Sequence, residues 1–171
     1  NQANEGGMTA LSFACARGHV DAARLLLDNG AEVDRAEKNY GATPLFIACG
    51  KGQVDAARLL LEKGAEVDRA ENDGRTPLYI ACQEGHVDAA RLLLEKGAAV
   101  DRAAKRGTTP LFAACFMGHV DAVRLLLEKG AAVDRAADNG ETPLDVAKRR
   151  QHHRVIVLLE ESLPLPLAPP R

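Results

Sequence analysis

The side chains able to do chemistry recur in this chain at fixed intervals, and the recurrence decides what they can be. Four cysteines, Cys15, Cys49, Cys82 and Cys115, stand 34, 33 and 33 residues apart. A disulfide needs Cα atoms within about 4.4–6.8 Å, whereas equivalent positions on stacked helices lie about 8–10 Å apart. Bridging is therefore disfavoured, and the row reads as small, reduced, buried hydrophobes. Three of the five histidines, His19, His86 and His119, each follow a glycine at the same place in the pattern, which predicts a structural hydrogen-bonding role. His152 and His153 are adjacent. Neighbouring side chains on a helix diverge by about 100°, and no cysteine or carboxylate stands at ligand spacing, so no metal is expected. Asp and Arg recur as Asp21/Arg24, Asp55/Arg58, Asp88/Arg91 and Asp121/Arg124, predicting i,i+3 ion pairs on solvated helix faces. The chain has no glycine-rich phosphate loop, no nucleophile elbow and no isolated acid–base pair. A residue present in every unit serves the unit, so neither enzymatic activity nor a cofactor is expected.

The unit itself is plain. Thr9, Thr43, Thr76, Thr109 and Thr142 open matching segments, and in the first four a Gly follows nine residues later (Gly18, Gly52, Gly85, Gly118). A second Gly (Gly30, Gly64, Gly97, Gly130) and a closing Asp (Asp34, Asp68, Asp101, Asp134) complete the pattern. Thr-Pro at 43–44, 76–77, 109–110 and 142–143 is a helix start: Thr caps, and Pro at the first helical position lacks only an N–H that would be unpaired there. The apolar spacing of Leu-x-x-Ala-Cys predicts a first helix, and Val87 to Lys96 predicts a second, ended by a left-handed Gly97. Asp73-Gly74, Arg106-Gly107 and Asn139-Gly140 mark tight turns between units. One such helix pair cannot bury its apolar face, and stacking several can.

These residues resemble the ankyrin repeat family. The match is Thr-Pro-Leu-x-x-Ala, then Gly-His-Val-Asp-Ala-Ala, Leu-Leu-Leu-Glu-Lys-Gly-Ala and Val-Asp, in five in-phase copies over residues 1–162. The resemblance implies an all-α solenoid of antiparallel helix pairs joined by hairpin-like turns. Repeats are expected at about 1–34, 35–68, 69–101 and 102–134, with a C-terminal cap at 135–162. It also implies a protein-binding role. The family's usual His after Thr-Pro-Leu is replaced by Ser12, Phe46, Tyr79, Phe112 and Asp145, so aromatic packing is expected where a polar contact to the next turn is lost.

Composition agrees. Hydrophobic residues make up 46% of the chain and aromatics 4%, which suits short Leu/Ala/Val-packed helices. Lys and Arg number 22 against 24 Asp and Glu, a net charge of -2 that argues against nucleic acid. No apolar run approaches the ~20 residues that cross a bilayer, and the first residues lack a signal-peptide pattern. An intracellular monomer is expected. Gln151 replaces the usual Gly and Glu160 replaces Leu127, as a C-terminal cap should, and residues 163–171 (Leu-Pro-Leu-Pro-Leu-Ala-Pro-Pro-Arg) predict an extended or disordered tail. Asn1 aligns with Asp68, and Val20 and Leu25–Leu27 are unchanged from internal repeats. That register predicts a fragment of a longer array; an engineered array of near-consensus modules accounts for the same pattern.

Positions that differ between otherwise identical repeats are free of the folding constraint, so binding specificity is expected there. By the resemblance, turn tips and the exposed side of each first helix form a concave groove. The candidates are Tyr40 and Lys51 in the second repeat, Asp73, Arg75, Gln83 and Glu84 in the third, and Arg106, Thr108, Phe116 and Met117 in the fourth. The cap adds Asn139, Glu141 and Arg149. Phe116-Met117 stands out because it replaces Gln83-Glu84 with side chains that interfaces favour. Tyr40 sits in the one lengthened turn, and Lys105, Arg106, Arg149 and Arg150 would favour an acidic partner. The alternative role is a structural spacer, or an engineered stability scaffold without a ligand.

Overall fold

The structure is a computed structural model, and it describes residues 7–163. Among the described residues, ten α-helices run in five antiparallel pairs. The inner helices are α1 (Ala10–Ala16), α3 (Pro44–Gly50), α5 (Pro77–Gln83), α7 (Pro110–Met117) and α9 (Pro143–Arg149). Their outer partners are α2 (Val20–Asp28), α4 (Val54–Glu62), α6 (Val87–Glu95), α8 (Val120–Glu128) and α10 (His153–Ser162). Each inner helix packs on the next inner helix and each outer on the next outer, giving two parallel rows.

At seven to ten residues, these helices are too short to persist alone. Two things hold them. Each inner helix is capped by its threonine, whose Oγ1 accepts the N–H of Ser12, Phe46, Tyr79, Phe112 or Asp145 at 3.1–3.2 Å; such a cap contributes about 1 kcal/mol. The core then runs unbroken between the rows through Leu45, Leu78 and Leu111, the Ala48, Ala81 and Ala114 row, and Leu60, Leu93 and Leu126. The cysteines lie inside it as free thiols. Burial pushes Cys15, Cys82 and Cys115 up to about 12, so they are inert protonated core groups.

Neighbouring repeats are also stitched by polar contacts. At the turn tips, Asn72 donates its N–H to Tyr40 O at 2.8 Å, Lys105 to Asp73 O at 2.8 Å and Asp138 to Arg106 O at 2.9 Å. At the other end of the repeat, the closing aspartates accept from the following repeat: Asp34 from Glu66 N–H, Asp68 from Ala99 N–H and Asp101 from Ala132 N–H, each at 3.0–3.1 Å.

Two sequence expectations are corrected here. The Asp/Arg pairs at 21/24, 55/58, 88/91 and 121/124 form no ion pair; the ion pairs among the described residues involve other partners. Each of these aspartates lies in the first turn of an outer helix, where the free N–H groups already favour a carboxylate, and an exposed pair gains little more. The rings of His86 and His119 make no hydrogen bond. Their rings pack over Gly52 and Gly85 of the preceding repeat, where a Cβ would come within 2.7 Å of Nδ1. His152 packs likewise over Gly118 and does bond, its Nε2 donating to Phe116 O at 3.1 Å.

The loss of the family's histidine is partly made good by polar groups. Tyr79 Oη lies 3.2 Å from Thr108 Oγ1 of the next turn, Ser12 bonds Thr9, and Asp145 completes a reciprocal capping box with Thr142. In the last pair, Gln151 holds the left-handed geometry of its glycine counterparts at φ 61°, and Glu160 pairs with Lys148 at 3.0 Å. The tail expectation falls almost wholly outside the described residues.

Candidate functional site

The turns that border the inner helices are built in two ways. In the second and third repeats a buried carboxylate sits at the centre. Glu37 accepts from the N–H groups of Asn39, Tyr40 and Ala42. Burial pushes its carboxyl up, but the backbone bonds outweigh that and hold it below the usual carboxylate range. Glu71 Oε1 accepts from Asp73 N–H, Arg75 N–H and Arg75 Nε at 2.9–3.2 Å, while its buried Oε2 has no partner.

The fourth repeat has Ala104 at the equivalent position. Here Lys105–Gly107 forms a tight 3₁₀ turn and Arg106 adopts φ 66°, ψ 17°, whereas the cap turn, with Ala137 at the same position, keeps Asn139 out of the left-handed region. A non-glycine residue in that region is strained by roughly 1–2 kcal/mol. The strain puts the Arg106 side chain at the tip with no hydrogen-bond or ion-pair partner, whereas Lys105 is tied to Asp73 at 3.3 Å and Arg75 to Glu71 at 3.2 Å.

Below this tip, α7 carries Phe116 and Met117 at its end. Phe116 is half-buried and Met117 is 43% exposed. The Arg150 guanidinium lies 4.5 Å from the centre of the Phe116 ring, a contact worth ~0.5–1 kcal/mol at an exposed site. Between α5, α7 and their turns lies a hollow of about 640 Å³. It brings together seven of the sequence candidates: Asp73, Arg75 and Gln83 from the third repeat, and Arg106, Thr108, Phe116 and Met117 from the fourth.

The other candidates lie elsewhere. Tyr40 is 67% exposed at its own tip, where its carbonyl is a rung between turns. Lys51 is exposed, and Glu84 accepts from Gln83 at 3.0 Å. Glu141 is engaged by Arg149 at 2.7 Å and Asn139 at 2.9 Å, and those hydrogen bonds hold its carboxyl below the usual range. Sequence reasoning missed the Glu37 and Glu71 turns, and it gave Tyr79 and Phe112 only the packing that replaces the family's histidine, although both also line the hollow. The signal was present: Ala-Glu at 36–37 and 70–71 becomes Ala-Ala at 103–104 and 136–137.

Among the described residues there is no group of three or more His, Cys, Asp or Glu able to hold a metal, and no helix is long and apolar enough to cross a membrane. What the geometry defines is an all-α repeat solenoid with a charged-tipped, apolar-floored hollow on its inner-helix side. A family model described as ankyrin repeats (3 copies) matches residues 1–71, 35–104, 68–137 and 100–163, and the chain belongs to the ankyrin repeat family. Ankyrin repeats generally serve as protein–protein interaction modules, and the family is generally non-enzymatic. No curated protein matches the chain significantly.

Proposed function

We propose that the chain acts as a monomeric protein-binding module that engages its partner through the inner-helix groove. The observation that carries this reading is the hollow between α5 and α7, because it is lined where the repeats depart from one another. Polar Gln83 and Glu84 give way to Phe116 and Met117, which leaves a thioether and part of an aromatic ring open to a partner. Interface centres are enriched in such groups, ringed by polar ones that exclude water. Charged and polar side chains at Asp73, Arg106 and Thr108 supply that ring.

The test is site-specific photocrosslinking in cells that express the chain, with a photoreactive residue at Met117 or, as a control, at Arg91 on an outer helix. Adducts confined to position 117 and abolished by Phe116→Ser support the groove. Equal adducts at both positions, or adducts indifferent to Phe116→Ser, overturn it and leave the spacer role standing.

A further inference from the structure

We propose that the hollow between the third and fourth repeats selects an extended peptide segment in which a large apolar residue is flanked by carboxylates. This rests on the groove reading above and adds the partner's chemistry to it. The charges bordering the hollow cancel unevenly. Asp73 is taken by Lys105 and Arg75 by buried Glu71, while Arg106 stands at the tip without an ion pair, its nearest turn neighbour being Asp138. At the foot, Arg150 is held over the Phe116 ring with no carboxylate partner. Phe116 and Met117 line the hollow together with Arg106, and Arg150 reaches its edge through the Phe116 ring. Guanidinium is weakly hydrated and matched in shape to carboxylate, so an acidic group on the ligand meets a site prepared for it.

Arg106 lies in the turn before α7 and Arg150 caps α9 of the next repeat, so the two cations are offset both along α7 and across the stack. One carboxylate on each side of the apolar anchor is what such a pair selects. The left-handed backbone of Arg106 fixes the tip cation on a short turn instead of a flexible loop.

The experiment pans a phage-displayed library of random twelve-residue peptides on the full chain. Enriched peptides are then measured by fluorescence anisotropy against wild type, Arg106→Gln, Arg106→Lys and Phe116→Ser. All these positions are exposed or half-buried, and a thermal melt of each variant controls for folding. The expected result is enrichment of Asp or Glu on both sides of a Leu, Phe or Met. Arg106→Gln should weaken binding about tenfold at low salt, with a shallower salt dependence, and Arg106→Lys, which keeps the charge but not the planar fork, should recover only part of it. Peptides that lose binding on Phe116→Ser yet lack acidic flanks, or bind Arg106→Gln equally well, overturn this inference and leave the groove intact. A library yielding no binder sensitive to Phe116→Ser overturns both.

Discussion

Replacing Gly85 and Gly97 by alanine separates two costs that look alike in sequence. Both glycines end helices with positive φ, +75° at Gly85 and +87° at Gly97. A Cβ on Gly97 meets nothing within 4 Å, whereas one on Gly85 would lie 2.7 Å from His119 Nδ1 and 2.9 Å from Cε1. Alanine in the left-handed region costs about 1–2 kcal/mol, and the loss of glycine's unfolded-state freedom returns ~0.5–1, so Gly97→Ala should destabilise by roughly 0.5–1 kcal/mol. Gly85→Ala adds an overpacking term of about 1–3 kcal/mol against a ring seated at the start of α8, for a total of ~1.5–4 kcal/mol. For a chain of this length that is a fall in Tm on the order of 10 °C, against a few degrees for Gly97→Ala. Urea titrations followed by circular dichroism read both, and a cycle with His119→Ala isolates the coupling. Equal losses for the two alanines, or additive behaviour of Gly85→Ala with His119→Ala, would refute the claim that the histidine of one repeat is packed on the glycine of the last.

Acid should find the second-repeat turn. The Glu37 carboxyl is held below its ordinary range in the fold, so its contribution is complete above the unfolded pKa of about 4.3 and is lost as pH falls through the lower folded value. Wild type should therefore lose more stability than Glu37→Gln between pH 7 and pH 3, and parallel profiles would exclude this. Position in the stack should grade identical residues: Leu25 is 65% exposed and its counterpart Leu92 only 3%, so Leu92→Ala should cost about 2–5 kcal/mol and Leu25→Ala less than roughly 1, measured by urea midpoint. The buried thiols should resist a thiol-reactive dye at pH 8 except at the rate of unfolding, with Cys15 of the first helix pair labelled earliest; a native-state burst from Cys82 would contradict its place in the core.

The period, the Thr caps, the helix pairs and the Leu/Ala/Cys core were legible because each is a local or periodic property, repeated enough times to average out exceptions. Phe116 and Met117 were legible as departures from that period. What escaped depends on neighbours about 33 residues away or on desolvation. The Gly–His packing joins Gly85 to His119 across a repeat boundary, and spacing along one helix does not reveal it. Glu37 and Glu71 drew no expectation from sequence, because nothing in the residue type says that backbone N–H groups will draw them inside. The Asp/Arg pairs illustrate the converse: correct i,i+3 spacing yields no bond where the aspartate already faces a helix N-terminus.

The turn-to-turn bonds and the closing-aspartate bonds all join residues about one repeat apart, and every substantial helix contact lies within a repeat or between adjacent ones. Loop closure costs grow with the number of residues enclosed, and here that number never exceeds about one period. A damaged repeat therefore loosens its two neighbours and no others. An added repeat lengthens the groove without making the folding search harder. The surface can thus be edited one rung at a time: the turn at Lys105–Gly107 differs from its neighbours, while α7 beside it keeps its place in the stack.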